Sequence, residues 1–324
     1  MSNKIYPIGI QNFEKIRQDG YFYVDKTALM YQMVKTGSYY FLSRPRRFGK
    51  SLLISTLEAY FQGKKELFTG LMVEKLEKDW IEHPILHLDL NIEKYDALES
   101  LDNILDKSLT AWEKLYGAEP SERSFSLRFA GIIERACQKT GQRVVILVDE
   151  YDKPMLQAIG NEDLQKQFRD TLKPFYGALK TMDGCIKFAL LTGVTKFGKV
   201  SVFSDLNNLK DISMDERFVD ICGITEKEIH DNLEEELHQL AEKQKMSYEQ
   251  VCAELKECYD GYHFMEHTIG IYNPFSLLNT FDKMKFGSYW FETGTPTYLV
   301  NLTARRQRQM CIRDRLMRKQ TNRC

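Results

Sequence analysis

Nowhere in these 324 residues is there an apolar run long enough to cross a bilayer. The opening MSNKIYPIGI has neither the basic stretch nor the apolar core of a secretory signal. Of seven cysteines, none stands in a CxxC pair and none has zinc-type spacing with histidine, so disulfide scaffolds and zinc modules are excluded as the reading. His263 and His267 lie four apart without an acidic partner pattern and are read as packing or surface residues. Internal repeats and low-complexity tracts are also missing. What these absences leave is a cytoplasmic globular protein with reduced thiols, with no membrane among its partners.

Net charge is scarce as well, at −1, but it is unevenly spread. Residues 305–324 carry seven Arg and one Lys against one Asp, a net +7, which leaves −8 on the rest. A basic arm on an acidic body would ordinarily suggest a nucleic-acid or membrane tail. Here the stretch 305–315, RRQRQMCIRDR, reads as a translated transposase-type sequencing-library adapter, so 305–324 is expected to be non-native. The native chain is then expected to continue past about Ala304.

With 43% hydrophobic and 28% charged residues, the chain can bury one sizeable core and a smaller second unit. Strands are expected at 38–42 (SYYFL), 85–90 (ILHLDL), 144–148 (VVILV) and 186–191 (IKFALL), with a weaker one at 218–221. Helical stretches separate them, and strands alternating with helices imply an α/β fold with a parallel sheet covered on both faces. From Thr225 the pattern turns mainly helical. Thr225 with Glu228 forms a capping box ahead of the stripe Ile229, Leu233, Leu237 and Leu240, and Ser247 with Gln250 opens a second helix running to about Tyr259. Two short capped helices suit either an ATPase lid or half a winged-helix module.

The first chemical signal is RPRRFGKS at 44–51, between an apolar strand and a helix whose stripe is Leu53, Leu57, Tyr60 and Phe61. A phosphate-binding P-loop reads GxxxxGK[ST]; Gly49, Lys50 and Ser51 fit, and Arg44 replaces the first glycine. Gly49 lets the backbone approach phosphate, Lys50 reaches the β and γ phosphates, and the Ser51 hydroxyl binds magnesium. Arg47, Phe48, Gly49, Lys50, Ser51 and Leu52 are the residues expected to contact ATP, their N–H groups opening the helix toward the anion. A basic surface turn is the competing reading.

The second signal, VVILVDE at 144–150, is an apolar strand ending in two carboxylates. Asp149 would hold magnesium with Ser51, and Glu150 would polarise the attacking water. Adjacent Asp and Glu place the fold in the P-loop NTPase branch with an additional strand between the two motif-bearing strands. A third feature is Thr192 at the tip of the 186–191 strand, a candidate sensor of the γ-phosphate, with Lys196 or Lys199 as charge partners. A threonine merely capping the strand end is the alternative.

In series, IGIQNFEKIR (8–17), YVDKT (23–27), RPRRFGKSLL (44–53), ILVDEYDKP (146–154), LTGVTKFGKVSVFSDLNNLKDIS (191–213) and CGITEKEI (222–229) resemble the predicted AAA-ATPase-like family of gut and anaerobic bacteria. The resemblance covers about 5–300, and Arg44 with Pro45 is similar to the family pattern rather than a lesion. It implies ATP and Mg2+ as cofactors, with Gly49, Lys50, Ser51, Asp149 and Glu150 at nucleotide-site positions and YVDKT on the adenine side. It also implies a PD-(D/E)XK nuclease-like domain following the ATPase in full-length relatives. The triplet Glu254, Leu255, Lys256 falls on an expected helix and is read as surface charge, not as part of such a domain.

The expected layout is therefore an N-terminal segment at 1–34 packing on the nucleotide domain, an ATPase domain at 35–222, and a mainly helical region at 223–304. The expected function is an ATPase whose cycle drives a conformational change in an attached effector. An ATP-gated scaffold with negligible turnover, and a nucleic-acid-binding module using the 225–259 helices, are the rivals. Oligomerisation is compatible with each.

Overall fold

Five parallel strands form the central sheet in the order β2-β3-β4-β1-β5. They are β1 (Tyr39–Ser43), β2 (Ile85–Asp89), β3 (Val144–Asp149), β4 (Ile186–Gly193) and β5 (Lys210–Asp211). The computed structural model describes residues 4–195, 208–262, 264 and 269–290. Expectations about Lys196, Lys199, His263, His267 and the 305–324 tail lie outside those residues. Up to Tyr289 the chain is one compact unit.

The strands read as unbroken apolar runs because the sheet is covered on both faces. Side chains alternate across it with the period of two that extended backbone imposes. In β3, Val144, Ile146 and Val148 join Leu88, Phe41 and Leu191 on one face, under α5 (Leu98–Tyr116), α6 (Phe125–Thr140) and α8 (Glu162–Thr181). Val145 and Leu147 join Tyr40, Leu42, Phe188 and Leu190 on the other. That second face is covered by Phe13 of α1 (Phe13–Gln18), Met30 and Met33 of α2 (Thr27–Thr36), the apolar stripe of α3 (Lys50–Phe61) and Val73 of the short α4 (Met72–Leu76), while Met155 of the short α7 (Lys153–Gln157) joins the first face. Removing one such side chain, as in Leu147→Ala, would cost about 2–5 kcal/mol.

The expected weak strand at 218–221 is not a strand. A 3-10 turn occupies Glu216–Phe218, with Ile221 N–H donating to Phe218 O at 3.2 Å. Phe218 and Ile221 are both buried, at a spacing of three that suits a turn and not alternation. The fifth strand is instead the pair Lys210 and Asp211, which hydrogen-bonds to β1 at the sheet edge.

After the sheet come β6 (Ile224–Thr225), α9 (Glu226–Gln244), α10 (Tyr248–Tyr259), β7 (Asp260–Tyr262), β8 (Ile271–Tyr272) and α11 (Pro274–Lys283). Both capping boxes form as expected, Thr225 with Glu228 and Ser247 with Gln250. The region is not purely helical, since the three short strands make an antiparallel sheet in the order β6-β8-β7. Leu233, Leu237, Leu240, Val251, Leu255, Leu277 and Phe281 build its core, and Tyr6, Ile8, Phe22 and Val24 of the N-terminal segment pack against it. Residues of that same segment thus serve two cores, since Phe13 and Met30 belong to the sheet. Among the described residues no helix is long and apolar enough to cross a membrane.

Candidate functional site

The site sits at the carboxyl ends of β1, β3 and β4, where parallel sheets place their ligands. Strand β4 lies between β1, which leads into the GKS loop, and β3, which ends in Asp149. Both motifs are thereby brought to one edge with β4's tip between them.

The loop turns on two left-handed residues, Arg47 at φ +69° and Gly49 at φ +91°. Nothing lies within 4 Å of a Cβ built on Gly49, so its backbone angle, not lack of space, calls for glycine. Arg47 accepts the same region at a cost of about 1–2 kcal/mol, with its guanidinium 4.5 Å from the Phe275 ring of α11. Gly49 then caps α3, and Lys50 and Ser51 occupy its first turn.

Arg44, where a glycine is usual, is only 1% exposed. Its guanidinium donates to the carbonyls of Ser43 (2.9 Å), Ser213 (2.8 Å), Phe218 (3.3 Å) and Val219 (3.1 Å), and stacks 4.0 Å from the Phe264 ring. Burial lowers its pKa, but an arginine stays charged in such surroundings. Arg44 therefore pins the P-loop to the chain that follows β5. Sequence reading explained its presence by family pattern and missed this job, because every partner but one is more than 160 residues away.

Lys50 is buried and folded back over the loop, donating to Arg44 O at 3.0 Å and Pro45 O at 3.3 Å. Its ammonium also lies 3.3 Å from Glu150 Oε1. Asp149, at the end of β3, accepts a 2.5 Å hydrogen bond from the fully buried Thr192 hydroxyl. Glu150 sits in the left-handed region at φ +56°. Lys50, Asp149, Glu150 and Thr192 are thus gathered in one cluster, with the Thr192 hydroxyl turned onto Asp149.

Behind this cluster Asp152 is completely buried and accepts from the N–H groups of Val194 and Thr195 and from the Thr195 hydroxyl. Burial and the nearby Glu150 push its pKa up to about 6 against those bonds. Neither Asp152 nor its neighbour Tyr151 was singled out from sequence, although both stand inside the ILVDEYDKP motif.

Beside Gly49 opens an apolar cavity with roughly 680 Å³ of empty space, mouth included. Phe48, Leu52, Tyr23, Val24, Ile221 and Gly223 are among its lining residues. Of the expected ATP contacts, Phe48 and Leu52 therefore face an apolar hollow, while Arg47 lies on Phe275. Phe48 also accepts at its carbonyl from Gly223 N–H at 3.1 Å, and packs edge-on against Tyr262.

Ser51 and Asp149 offer the hard oxygens that magnesium takes. Among the described residues no group of three or more His, Cys, Asp or Glu side chains could hold a metal ion by itself. Such a donor set fits magnesium bound jointly by one or two protein oxygens, phosphate and water.

A family model described as predicted AAA-ATPase matches residues 7–203, more than half of the chain. The chain belongs to the predicted AAA-ATPase family. As an AAA-ATPase-like protein it is 42% identical over 309 residues to a protein of Azotobacter chroococcum mcd 1 described as an uncharacterized protein in vnfD 5'region. The match covers 95% of this chain and 57% of that relative, so the chain spans little more than half the relative's length. No solved structure matches it. Membership of the AAA-ATPase-like family points to ATP binding and ATPase activity.

Proposed function

We propose that this chain binds ATP with magnesium and hydrolyses it at the edge formed by β1, β3 and β4. The observation that carries this reading is the meeting of Lys50 and Glu150, from two separate motifs, beside an Asp149 carboxylate held by Thr192. In the reading, Lys50 and the N–H groups opening α3 hold the phosphates. Ser51 and Asp149 would hold magnesium, which when bound offsets phosphate charge. Glu150 accepts a proton from the attacking water, and Thr192 keeps Asp149 aimed. The apolar cavity beside Gly49 would take the adenine, with Tyr23 and Val24 of YVDKT on its wall.

The pairing of Lys50 with Glu150 also supports gating. While Glu150 neutralises Lys50, it is turned to the cation and not to water. Phosphate arriving at Lys50 competes for the ammonium and frees the carboxylate, so binding itself arms the base. Two links would carry this event to an effector. Lys26, from the cavity wall, forms a largely buried ion pair with Glu228 at the start of α9 (2.5 Å). Gly223, just before β6, is bonded to the P-loop at Phe48. The strand, two helices and hairpin of the 224–272 region favour the winged-helix alternative over an all-helical lid. A following nuclease-like domain as effector remains part of the proposal, and the greater length of the Azotobacter relative accommodates one.

Steady-state phosphate release at saturating Mg-ATP tests the reading. Wild type should turn over, and Glu150→Gln should bind a fluorescent ATP analogue normally while losing about 10²–10³-fold in rate. Equal rates at the background level would leave the scaffold reading in place, and equal rates well above it would remove Glu150 from the reaction.

A further inference from the structure

Glu150 occupies a backbone region that a side chain with a Cβ adopts at a cost of about 1–2 kcal/mol. Such strain persists only where neighbouring contacts over-determine it. The contacts here come from the two residues that follow. Tyr151 N–H donates to Thr192 O at 2.9 Å, and the Tyr151 hydroxyl donates to Thr195 O at 2.9 Å. Asp152 accepts from Val194 N–H at 3.1 Å, Thr195 N–H at 2.7 Å and the Thr195 hydroxyl at 2.9 Å. The 150–152 turn is thus stitched along its length to 192–195.

Gly193 lies between the two sides. A Cβ placed there would stand 2.5 Å from a Tyr151 ring carbon and 2.7 Å from Asp152 Oδ1. Its φ is not left-handed, so close approach alone requires glycine at this position. A carboxylate suits the job better than an amide would, because its three hydrogen-bond partners are all donors. Three donors converging on one buried carboxylate make charge-assisted bonds, about twice as strong as neutral ones.

We propose that Asp152 is a positioning residue for hydrolysis: it clamps the tip of β4 to the 150–152 turn, and so sets the direction of Glu150 and the register of Thr192 on Asp149. The proposal rests on the ATPase reading above. Asp152 touches neither phosphate nor water in it, and acts through Glu150 and Thr192. The clamp belongs to the hydrolytic step and not to nucleotide capture, since Lys50 keeps its bonds to the Arg44 and Pro45 carbonyls when Glu150 is displaced.

A split between affinity and turnover provides the test. In Asp152→Asn the amide NH2 would confront the N–H groups of Val194 and Thr195. Affinity for a fluorescent ATP analogue should stay within about twofold, while kcat falls on the order of 10–100-fold, the effect of misplacing a catalytic group by about 1 Å. Asp152→Glu keeps the charge but lengthens a completely buried side chain by one methylene, and should not restore kcat. Milder substitutions guard against a folding failure. Thr195→Ala and Thr195→Ser remove or keep the one hydroxyl bond to Asp152, so Thr195→Ala should lower kcat several-fold at unchanged affinity and Thr195→Ser should restore it. If wild type hydrolyses ATP and Asp152→Asn and Thr195→Ala hydrolyse it equally fast, the clamp is overturned alone. Loss of affinity in step with kcat would also overturn it, as simple structural damage. A wild type without turnover would overturn the ATPase reading itself.

Discussion

A lysine and glutamate pair lies beside each end of helix α3, and the two pairs are built differently. At its first turn Lys50 meets Glu150, whose carboxylate has that ammonium as its ion-pair partner at 3.3 Å. Near its last turn Tyr60 donates its hydroxyl to Glu77, which also pairs with Lys35 at 2.8 Å and accepts from the N–H groups of Lys78 and Asp79. Burial pushes the Glu77 pKa up, but the Lys35 and Tyr60 bonds outweigh it and hold it at about 2. One end of the helix is therefore saturated with bonds and fixed. The other is held by a pair that a phosphate can divide. The same residue types serve stability at one end and exchange at the other, and the number of bonds on the carboxylate tells them apart.

Breaking the exchangeable end should give the largest effect. Lys50→Ala should weaken binding of a fluorescent ATP analogue by at least about 100-fold, in the range of losing a charged group's key contact. Unchanged affinity would remove the P-loop assignment. Next comes the loop's anchor. Arg44→Gly restores the usual P-loop glycine but strips a donor from four carbonyls, so chemical denaturation should show a loss of about 2–4 kcal/mol. A stability gain would mean that Arg44 is dispensable.

At the saturated end, Glu77→Gln should leave ATP affinity unchanged and remove up to about 3 kcal/mol at neutral pH. The sign follows from a folded pKa held below the unfolded one. The contribution is complete above about pH 4.5 and disappears as pH falls toward about 2, so the wild-type and variant stability curves should converge there. Parallel curves would show that Glu77 is not the titrating group. The smallest effect is expected in the last turn of α3, where Glu58 faces His87 of β2 at 3.3 Å. Burial lowers the His87 pKa, but Glu58, followed by Asp149 and Asp89, raises it further than burial lowers it. Its stabilisation is complete below about pH 6.5 and is lost as pH rises through the raised value. His87→Gln should thus cost under about 1 kcal/mol in mild acid and nothing in base.

The legible parts of this molecule were those whose cause is local. Strands buried on both faces appear as apolar runs, so β1, β3 and β4 stood out, and so did a glycine, lysine and serine placed between strand and helix. The capping boxes at Thr225 and Ser247 were read directly because each closes within three residues. What escaped depended on distant partners. Lys210 and Asp211 form a strand only because β1 offers a free edge, and nothing in two charged residues announces it. Phe218 and Ile221 looked extended because both are buried, but a tight turn and not a strand ladder carries them onto the sheet face, with Phe218 against Tyr40 of β1. Asp152 appeared as one more charge in a motif until Val194 and Thr195 were seen to face it.

The N-terminal segment has a consequence for the order in which the chain can fold. Tyr6, Ile8, Phe22 and Val24 find their packing on α9, α10 and α11, and Lys26 reaches Glu228, 202 residues further on. Strand β1 likewise pairs with β4 and β5, both far along the chain. On a ribosome that makes about 5–20 residues per second, the first forty residues emerge many seconds before any of these partners exists. Phe13 and Met30 can pack on α3 early, but Tyr6, Ile8, Phe22 and Val24 must wait uncovered until the C-terminal helices arrive. Those four residues are made early and buried late, and newborn chains stalled before α11 should be the ones that chaperones hold.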